Sequence, residues 1–398
     1  MLDLLTREDR EKTTRLRKAM ESEGLDALIL RLAEDVIYVS GYWPFYGLSF
    51  VFLPLDDEPS IVTIADEEPH AKRSWIKDVH LVNVESVDRL GDPVKDAFNI
   101  IGALAQDKKL ANKMIGYEGS MELLSTNYQR RELWTVGLPF YQGLRDTFPR
   151  AEIRDVSSLM FDIRSVKTTR EVDMMKIVNR IADIGLEAFH KAIREGIREV
   201  DVQAMVEHEL ITKGVGYCGV ERLVPLAFVM SGRNSADAYK TYNVSTENKL
   251  KMGDLVLVEL NVNVEGYWSD TTRVYVLGTP TEKQKEFFDV VIEAQQTAID
   301  RIEDGVPASE VNEAAFDIVK KHGLTQYVRH RLGHGTGCGL HEPIPAIHHA
   351  SKHILRANMV HSVEPGLYDP DVGGVRIEDM VLDTKHGAER LNKYCLRG

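Results

Sequence analysis

Residues 253–273, GDLVLVELNVNVEGYWSDTTR, constrain this chain more than any other stretch. An apolar run from Leu255 to Val258 leads to Glu259. Glu265-Gly266 then interrupts, and a second β-rich run passes Tyr267, Trp268 and Ser269 to Asp270 and on to Leu277. Two β-branched, aromatic-rich runs about a short glycine-containing turn read as a hairpin. A turn centred on Val264-Glu265 sets Glu259 opposite Asp270. A turn centred on Glu265-Gly266 sets Asn261 opposite Asp270, with Glu259 on the same face, because strand side chains alternate. In both registers two acids share a face, roughly 5–8 Å apart. Like charges that close are unfavourable unless a cation or a shared proton lies between them.

Three later segments bring more groups of the same kind. His334 sits in RHRLGHGTGCGLHEP, Glu364 in HSVEPGLY and Glu378 in GVRIEDMVL. Glu364 and Glu378 flank the turn-rich segment 369–374, which reads as a second hairpin. Four carboxylates and one imidazole, each at the end or start of a β-like run, suit a pair of divalent metal ions with oxygen and nitrogen ligands.

The remaining composition narrows the function classes. A chain of 398 residues makes two or three domains. A net charge of −13 argues against nucleic acid, which needs clustered cations. Three dispersed cysteines, Cys218, Cys338 and Cys395, form neither a disulfide framework nor a thiolate zinc pattern. No apolar run is long enough to span a bilayer, and the charged N-terminus lacks a signal core. A cytoplasmic protein with no membrane partner is the expectation.

Along the chain, residues 7–23 have the spacing of an amphipathic helix. Residues 27–30, 35–40, 49–55 and 60–64 read as strands, 67–76 as a helix, 93–105 as a helix behind Asp92-Pro93, 114–117 as a strand and 125–136 as a helix. Alternating strands and helices make residues 1–160 an α/β domain. Beyond it, Thr168 to Glu171 spells a capped helix start, and the helix runs to about residue 195. Helices are expected at 201–213 with Asp201 as cap, 281–303 and 309–322, with the acid-bearing β segments between and after them. Long helices on antiparallel strands make residues 161–398 an α+β domain.

The segments GDLVLVE…GYWSDTTR, RLGHGTG…HEP, VEPGLY and GVRIED, in this order, resemble the pita-bread metallohydrolases: Xaa-Pro aminopeptidases, prolidases and creatinase-like enzymes. The resemblance covers nearly the whole chain. It implies a creatinase-type N-terminal domain and a pita-bread catalytic domain, with metal ligands at Glu259, Asp270, His334, Glu364 and Glu378. It implies two divalent ions, of Mn, Co, Zn or Fe, whose bound water becomes the nucleophile. Glu364 matches the residue that handles the proton of that water. His341 matches a histidine contacting substrate or tetrahedral intermediate, His330 one lining the pocket, and Arg376 an arginine orienting a carboxylate. Thr272 is placed to support a ligand. Members of the family are commonly homodimers. The aromatic loop 42–47, with Trp43 and Phe45, fits a substrate pocket wall, including one completed across subunits.

Two features depart from the peptidase pattern. Glu259 stands where the family has Asp, one methylene longer. The peptidases also carry a histidine after a Ser-Gly-x-Asn segment. Here the segment is Ser231-Gly232-Arg233-Asn234, no histidine occurs between His208 and His322, and Tyr239 or Tyr242 takes the place. A phenol donates a hydrogen bond but does not shuttle protons near neutrality as imidazole does. The best reading is a metal-dependent hydrolase, an Xaa-Pro aminopeptidase or dipeptidase using a metal-activated water. The alternatives are a non-peptide enzyme on the same fold (an amidinohydrolase, a cyclic-amide hydrolase or a lyase of small zwitterions) and a pita-bread binding protein without catalysis.

Overall fold

The computed structural model describes residues 2–83, 85–86, 89–120, 137–240 and 244–394. It divides into two units, Met1–Arg164 and Ser165–Gly398. The helix expected at 125–136 lies outside the described residues.

The first unit is a six-stranded mixed sheet with helices. Its strands are β1 (Ala27–Leu30), β2 (Ser49–Pro54), β3 (Ser60–Ile64), β4 (Asp78–Val82), β5 (Met114–Tyr117) and β6 (Glu152–Asp155). Their order is β4-β3-β2-β1-β5-β6. Helix α1 (Arg10–Glu23) begins with the Asp9 side chain accepting from the Lys12 N–H and ends at Gly24 in the left-handed conformation. Residues 35–40, expected as a strand, belong instead to helix α2 (Ala33–Ser40). Val36, Ile37, Tyr38 and Val39 are all buried there. A short run that is apolar on every side suits a buried helix as well as a strand, and tertiary packing decides. The helix expected at 67–76 shrinks to a short turn at Glu68–Ala71. Helices α3 (Pro93–Asp107) and α4 (Leu138–Thr147) close the core, where Phe50, Phe98 and Phe140 meet with ring centroids 5.7–5.9 Å apart.

In the second unit, helix α5 (Thr169–Ala192) starts with the reciprocal Thr168–Glu171 box. Helix α6 (Glu199–Gly214) begins before the expected Asp201 cap. Asp201 sits in the first turn paired with Arg198, and the buried Glu199 carboxylate accepts from Ser231, Asn234 and Thr246. A three-stranded antiparallel sheet follows, of β7 (Leu223–Ser231), β8 (Leu255–Val264) and β9 (Tyr267–Val276), with β8 in the middle. Helix α5 packs against β8 and β9.

The turn decides the register of the central hairpin. Glu265 and Gly266 have φ of 52° and 91°, the positive pair that a two-residue hairpin loop needs. The Glu265 carboxylate offsets its own strained backbone by accepting from the Glu221 and Arg222 N–H groups at 2.6 and 2.9 Å. Asn261 therefore faces Asp270, and Glu259 faces Thr272.

Helices α7 (Glu282–Arg301) and α8 (Ala308–Lys321) precede the last strands. These are β10 (Gly333–Gly335), β11 (Glu342–Ile347), β12 (Val360–Val363), β13 (Gly366–Asp369), β14 (Gly373–Arg376), β15 (Asp379–Thr384) and β16 (Gly387–Arg390). Five form a sheet in the order β11-β10-β12-β15-β16, while β13 and β14 form the second hairpin. A backbone bridge between Thr272 and Glu378 joins the first hairpin to this region.

The joint is locked by a buried ion pair. Arg273 reaches Asp379 at 2.6 Å, with both side chains 1% exposed. The same guanidinium donates to the carbonyls of Thr272 and Glu378 at 2.9 and 2.7 Å. Gln295 of α7 donates to the carbonyls of Val363 and Ile377 at 3.0 and 3.1 Å, and to Asp379 at 3.2 Å. Removing one partner leaves an uncompensated charge inside the protein. Arg273→Met should cost about 3–5 kcal/mol of unfolding free energy. Urea unfolding of wild type and variant checks this, and a loss below about 1 kcal/mol would contradict a locking role.

Candidate metal centre

Hairpin geometry brings the acids together. Glu259, Asn261 and Asp270 share one face of β8 and β9, and the Thr272–Glu378 bridge brings Glu378 alongside. The turn after β12 supplies Glu364, and β10 supplies His334. Three overlapping groups offer ligand atoms within 4.8 Å of one another: Asp270, His334 and His341; His334, Glu364 and Glu378; and Glu259, Asp270 and Glu378. All five residues expected as ligands thus converge, and His341 joins them.

The donor set fits a cation. His334 places Nδ1 3.0 Å from the Gly335 carbonyl, so that nitrogen carries the proton and Nε2 keeps its lone pair. That lone pair faces Asp270 Oδ2 and Glu364 Oε1, each 3.5 Å away. Three electron-rich atoms in a buried site repel unless something positive lies between them. Oxygen and nitrogen ligands at about 2.0–2.2 Å from a metal lie roughly 3–3.5 Å from each other, which matches this spacing.

Electrostatics point the same way. Burial, then the charges of Glu378 and Glu364, pushes the Asp270 carboxyl well above the usual range. Burial and then Glu378 do the same to Glu364. Burial raises Glu378 as well, against the pull of Arg376 and the Thr272 hydroxyl. Burial, reinforced by nearby His341, holds the His334 imidazole well below its usual pKa and therefore neutral.

Glu259 stands apart from the other acids. Its oxygens already receive Asn261 Nδ2 at 3.3 Å, the Thr272 hydroxyl at 3.0 Å and the Arg376 guanidinium. Arg376 Nε also donates to Thr272 Oγ1 at 2.8 Å. A hydroxyl has one proton, so Thr272 serves either Glu259 or Glu378, which it approaches at 2.7 Å. The longer glutamate thus reaches an arginine that compensates it from within the protein.

Around this centre lies a second ring of side chains. His341 Nε2 is 3.8 Å from Asp270, its ring is 4.0 Å from that of His334, and its side chain is 20% exposed against 3% for His334. His330 contacts Glu364 through Nδ1 at 3.7 Å and Tyr368 through Nε2 at 2.8 Å. Arg376 donates to the same phenol at 3.3 Å. Tyr239 packs on Tyr368 with ring centroids 5.3 Å apart. Tyr242 lies outside the described residues. Trp43 and Phe45 belong to the first unit, in a loop whose Tyr42 hydroxyl and Phe45 and Tyr46 N–H groups converge on buried Glu67. Phe45 is half exposed and packs against His70 with ring centroids 4.9 Å apart and the rings tilted by 55°. Tyr368 and Ser362, whose hydroxyl donates to Glu364 at 3.2 Å, escaped the sequence reading. Their only signal was position, since Tyr368 ends VEPGLY and Ser362 immediately precedes it.

A pita-bread unit carrying a buried nest of carboxylates and imidazole defines a divalent-metal hydrolase. Residues 173–385 match the family described as "Metallopeptidase family M24", and residues 12–166 match the "Creatinase/Prolidase N-terminal domain". The chain belongs to the M24 metallopeptidases, enzymes that use divalent metals. It is 29% identical over 383 residues to an Xaa-Pro dipeptidase of Pyrococcus horikoshii, covering 96% of this chain and 97% of that one. It is 34% identical over 297 residues to an Xaa-Pro dipeptidase of Lactobacillus helveticus, covering 71% and 78%. Among solved structures it resembles a prolidase from Pyrococcus horikoshii, with TM-score 0.78, 28% identity and coverage of 96% and 98%. Among the described residues no helix is long and apolar enough to cross a membrane.

The raised carboxyls set a pH dependence. Folded, Asp270, Glu364 and Glu378 keep protons that an unfolded chain releases near about pH 4. Stability of the metal-free protein therefore falls as pH rises above that value toward the raised ones. A divalent cation must displace those protons, so its stabilising effect grows over the same window. Melting curves with and without Mn²⁺ should show a larger gain at about pH 8 than at about pH 5. An equal gain at both would contradict the assignment.

Proposed function

We propose that the protein is a metal-dependent Xaa-Pro peptidase, a dipeptidase or an aminopeptidase, with two divalent ions held by Glu259, Asp270, His334, Glu364 and Glu378. The observation that carries this reading is the His334 lone pair facing two carboxylates. Xaa-Pro dipeptidases at 29% and 34% identity support the substrate class. Bound divalent ions supply Lewis acidity and a water of lowered pKa.

The chain's own groups do the rest. Glu364, held by the Ser362 hydroxyl, is placed to take the proton of the attacking water and return it to the leaving nitrogen. His341, on the more open side of the nest, is placed to donate a hydrogen bond to the oxygen that gains charge. Arg376, His330 and Tyr368 form a hydrogen-bonded set that orients the pocket. Tyr239 offers an aromatic wall where the peptidase pattern has histidine, with Tyr242 as its neighbour in sequence. Substrate contact through Trp43 and Phe45, a homodimer and a cytoplasmic setting belong to the same reading.

Two observations favour a second reading, a non-peptide enzyme on this fold. Glu259 is taken up by Arg376, and a phenol replaces the proton-shuttling imidazole. Activity should be assayed on Xaa-Pro dipeptides and tripeptides, alongside small amides, creatine-like and sulfonium compounds. Hydrolysis of the Xaa-Pro peptides should vanish with a chelator and return with Mn, Co or Zn. Glu364→Gln should lower kcat about 10²–10⁴-fold with a smaller change in KM. Turnover of the small compounds alone would reject the peptidase reading.

A further inference from the structure

Glu342, in the Gly-rich segment after His334, has no part in the chemistry above, yet it is buried. Strands β10 and β11 pair irregularly: His334 faces Ala346, while the next residue, Gly335, faces Glu342. Residues 336–341 leave the ladder as a loop that carries His341 back over Asp270. The loop closes on itself through Gly337 N–H to the Gly339 carbonyl at 3.0 Å and the Thr336 hydroxyl to the Leu340 carbonyl at 3.1 Å. Its outer anchor is the Trp268 N–H, which donates to the Gly337 carbonyl at 2.9 Å.

At the foot of the loop stands an ion pair. Glu342 Oε1 accepts from the Gly339 N–H at 3.2 Å, and Oε2 lies 3.0 Å from Lys167 Nζ. The two side chains are 3% and 1% exposed. Lys167 also donates to the Ser165 carbonyl at 3.3 Å, and its backbone N–H is fixed on the Asn358 carbonyl at 2.8 Å. The loop rests directly on this pair. A side chain at Gly337 would meet Glu342 Oε1 and Lys167 Cε, each at 3.0 Å.

A buried ion pair is a poor device for stability alone, since well-packed apolar residues often serve as well or better. It is a good device for geometry, because both charges lose free energy unless their partners stay in place. We propose that the Lys167–Glu342 pair is a positioning device that fixes the 336–341 loop and thereby the place of His341 over Asp270 and His334. Lys167 and Glu342 act through His341 and touch no substrate. Without the Lys167 charge, Glu342 turns away or takes a proton, its hold on the Gly339 N–H is lost or weakened, and His341 shifts. A displacement of about 1 Å in a group contacting the reacting atoms can cost roughly 10²-fold in rate.

The kinetic side rests on the peptidase reading, so the test has a second arm that does not. Histidine side-chain NMR of the metal-free protein, with His341 assigned by the loss of its signal in His341→Gln, reads its position directly. In Lys167→Met and Glu342→Gln the signals of His341 and its neighbour His334 should move, while those of His190 and His322 stay. On an Xaa-Pro dipeptide, either substitution should lower kcat about 10–100-fold with KM within about threefold. In the His341→Gln background the same substitutions should cost less than about threefold, because the group they position is gone. An unmoved His341 signal, or an equal loss in both backgrounds, overturns the proposal. A moved signal in a protein inactive on every Xaa-Pro peptide upholds the positioning and rejects the substrate class. If Lys167→Met fails to fold, Lys167→Arg, which keeps the charge and re-aims it, carries the same two readouts.

Discussion

A neutral imidazole whose lone pair looks at two carboxylate oxygens is not a stable buried arrangement by itself. Everything around the centre follows from that constraint. The acids lie too deep for water to screen them, and burial lifts Asp270, Glu364 and Glu378 toward the protonated form. Only a cation lets all of them ionise together. The fold's task is to hold them in place although they repel.

That task falls on groups one layer out. Arg273 ties the carbonyl of Thr272 to that of Glu378, and Gln295 ties the carbonyls that immediately precede Glu364 and Glu378. Both converge on Asp379. Two hairpins far apart in sequence are thus held at a fixed spacing by one buried polar hub. The Glu265-Gly266 turn contributes the other half, since a one-residue slip in β8 would send Glu259 and Asn261 to the opposite face from Asp270.

Much of this was legible in the chain. The four segments carry the ligand residues, though Glu259, Asp270 and His334 lie inside their strands rather than at the expected ends, and only Glu364 and Glu378 sit just beyond strand ends. Alternation put Glu259 or Asn261 across from Asp270. The turn then chose Asn261, through a positive φ at Glu265 that no sequence rule demanded. The 35–40 run misled because a fully buried helix and a buried strand share one pattern. The helix expected at 67–76 is a single turn at Glu68–Ala71. Asp201 looked like a cap, but the helix starts at Glu199 and Asp201 pairs with Arg198 in its first turn. Arg273 and Tyr368 end the GYWSDTTR and VEPGLY segments, while Gln295 and Lys167 lie outside them, but the roles of all four were hidden for a common reason. Their roles depend on partners more than thirty residues away, and periodicity carries no trace of such pairs. Asp379 and Glu342 did sit inside the GVRIED and HEP segments, where a second acid beside a candidate ligand or histidine was the available hint.

The most direct measurement is the metal content of the protein after reconstitution with Mn²⁺ and removal of free ions, compared with Asp270→Asn. Asp270 belongs to two of the three ligand groups. The account predicts close to two ions per wild-type chain and a loss of at least one in the variant. Wild-type protein that retains no divalent ion, or a variant that binds as much as wild type, would contradict it.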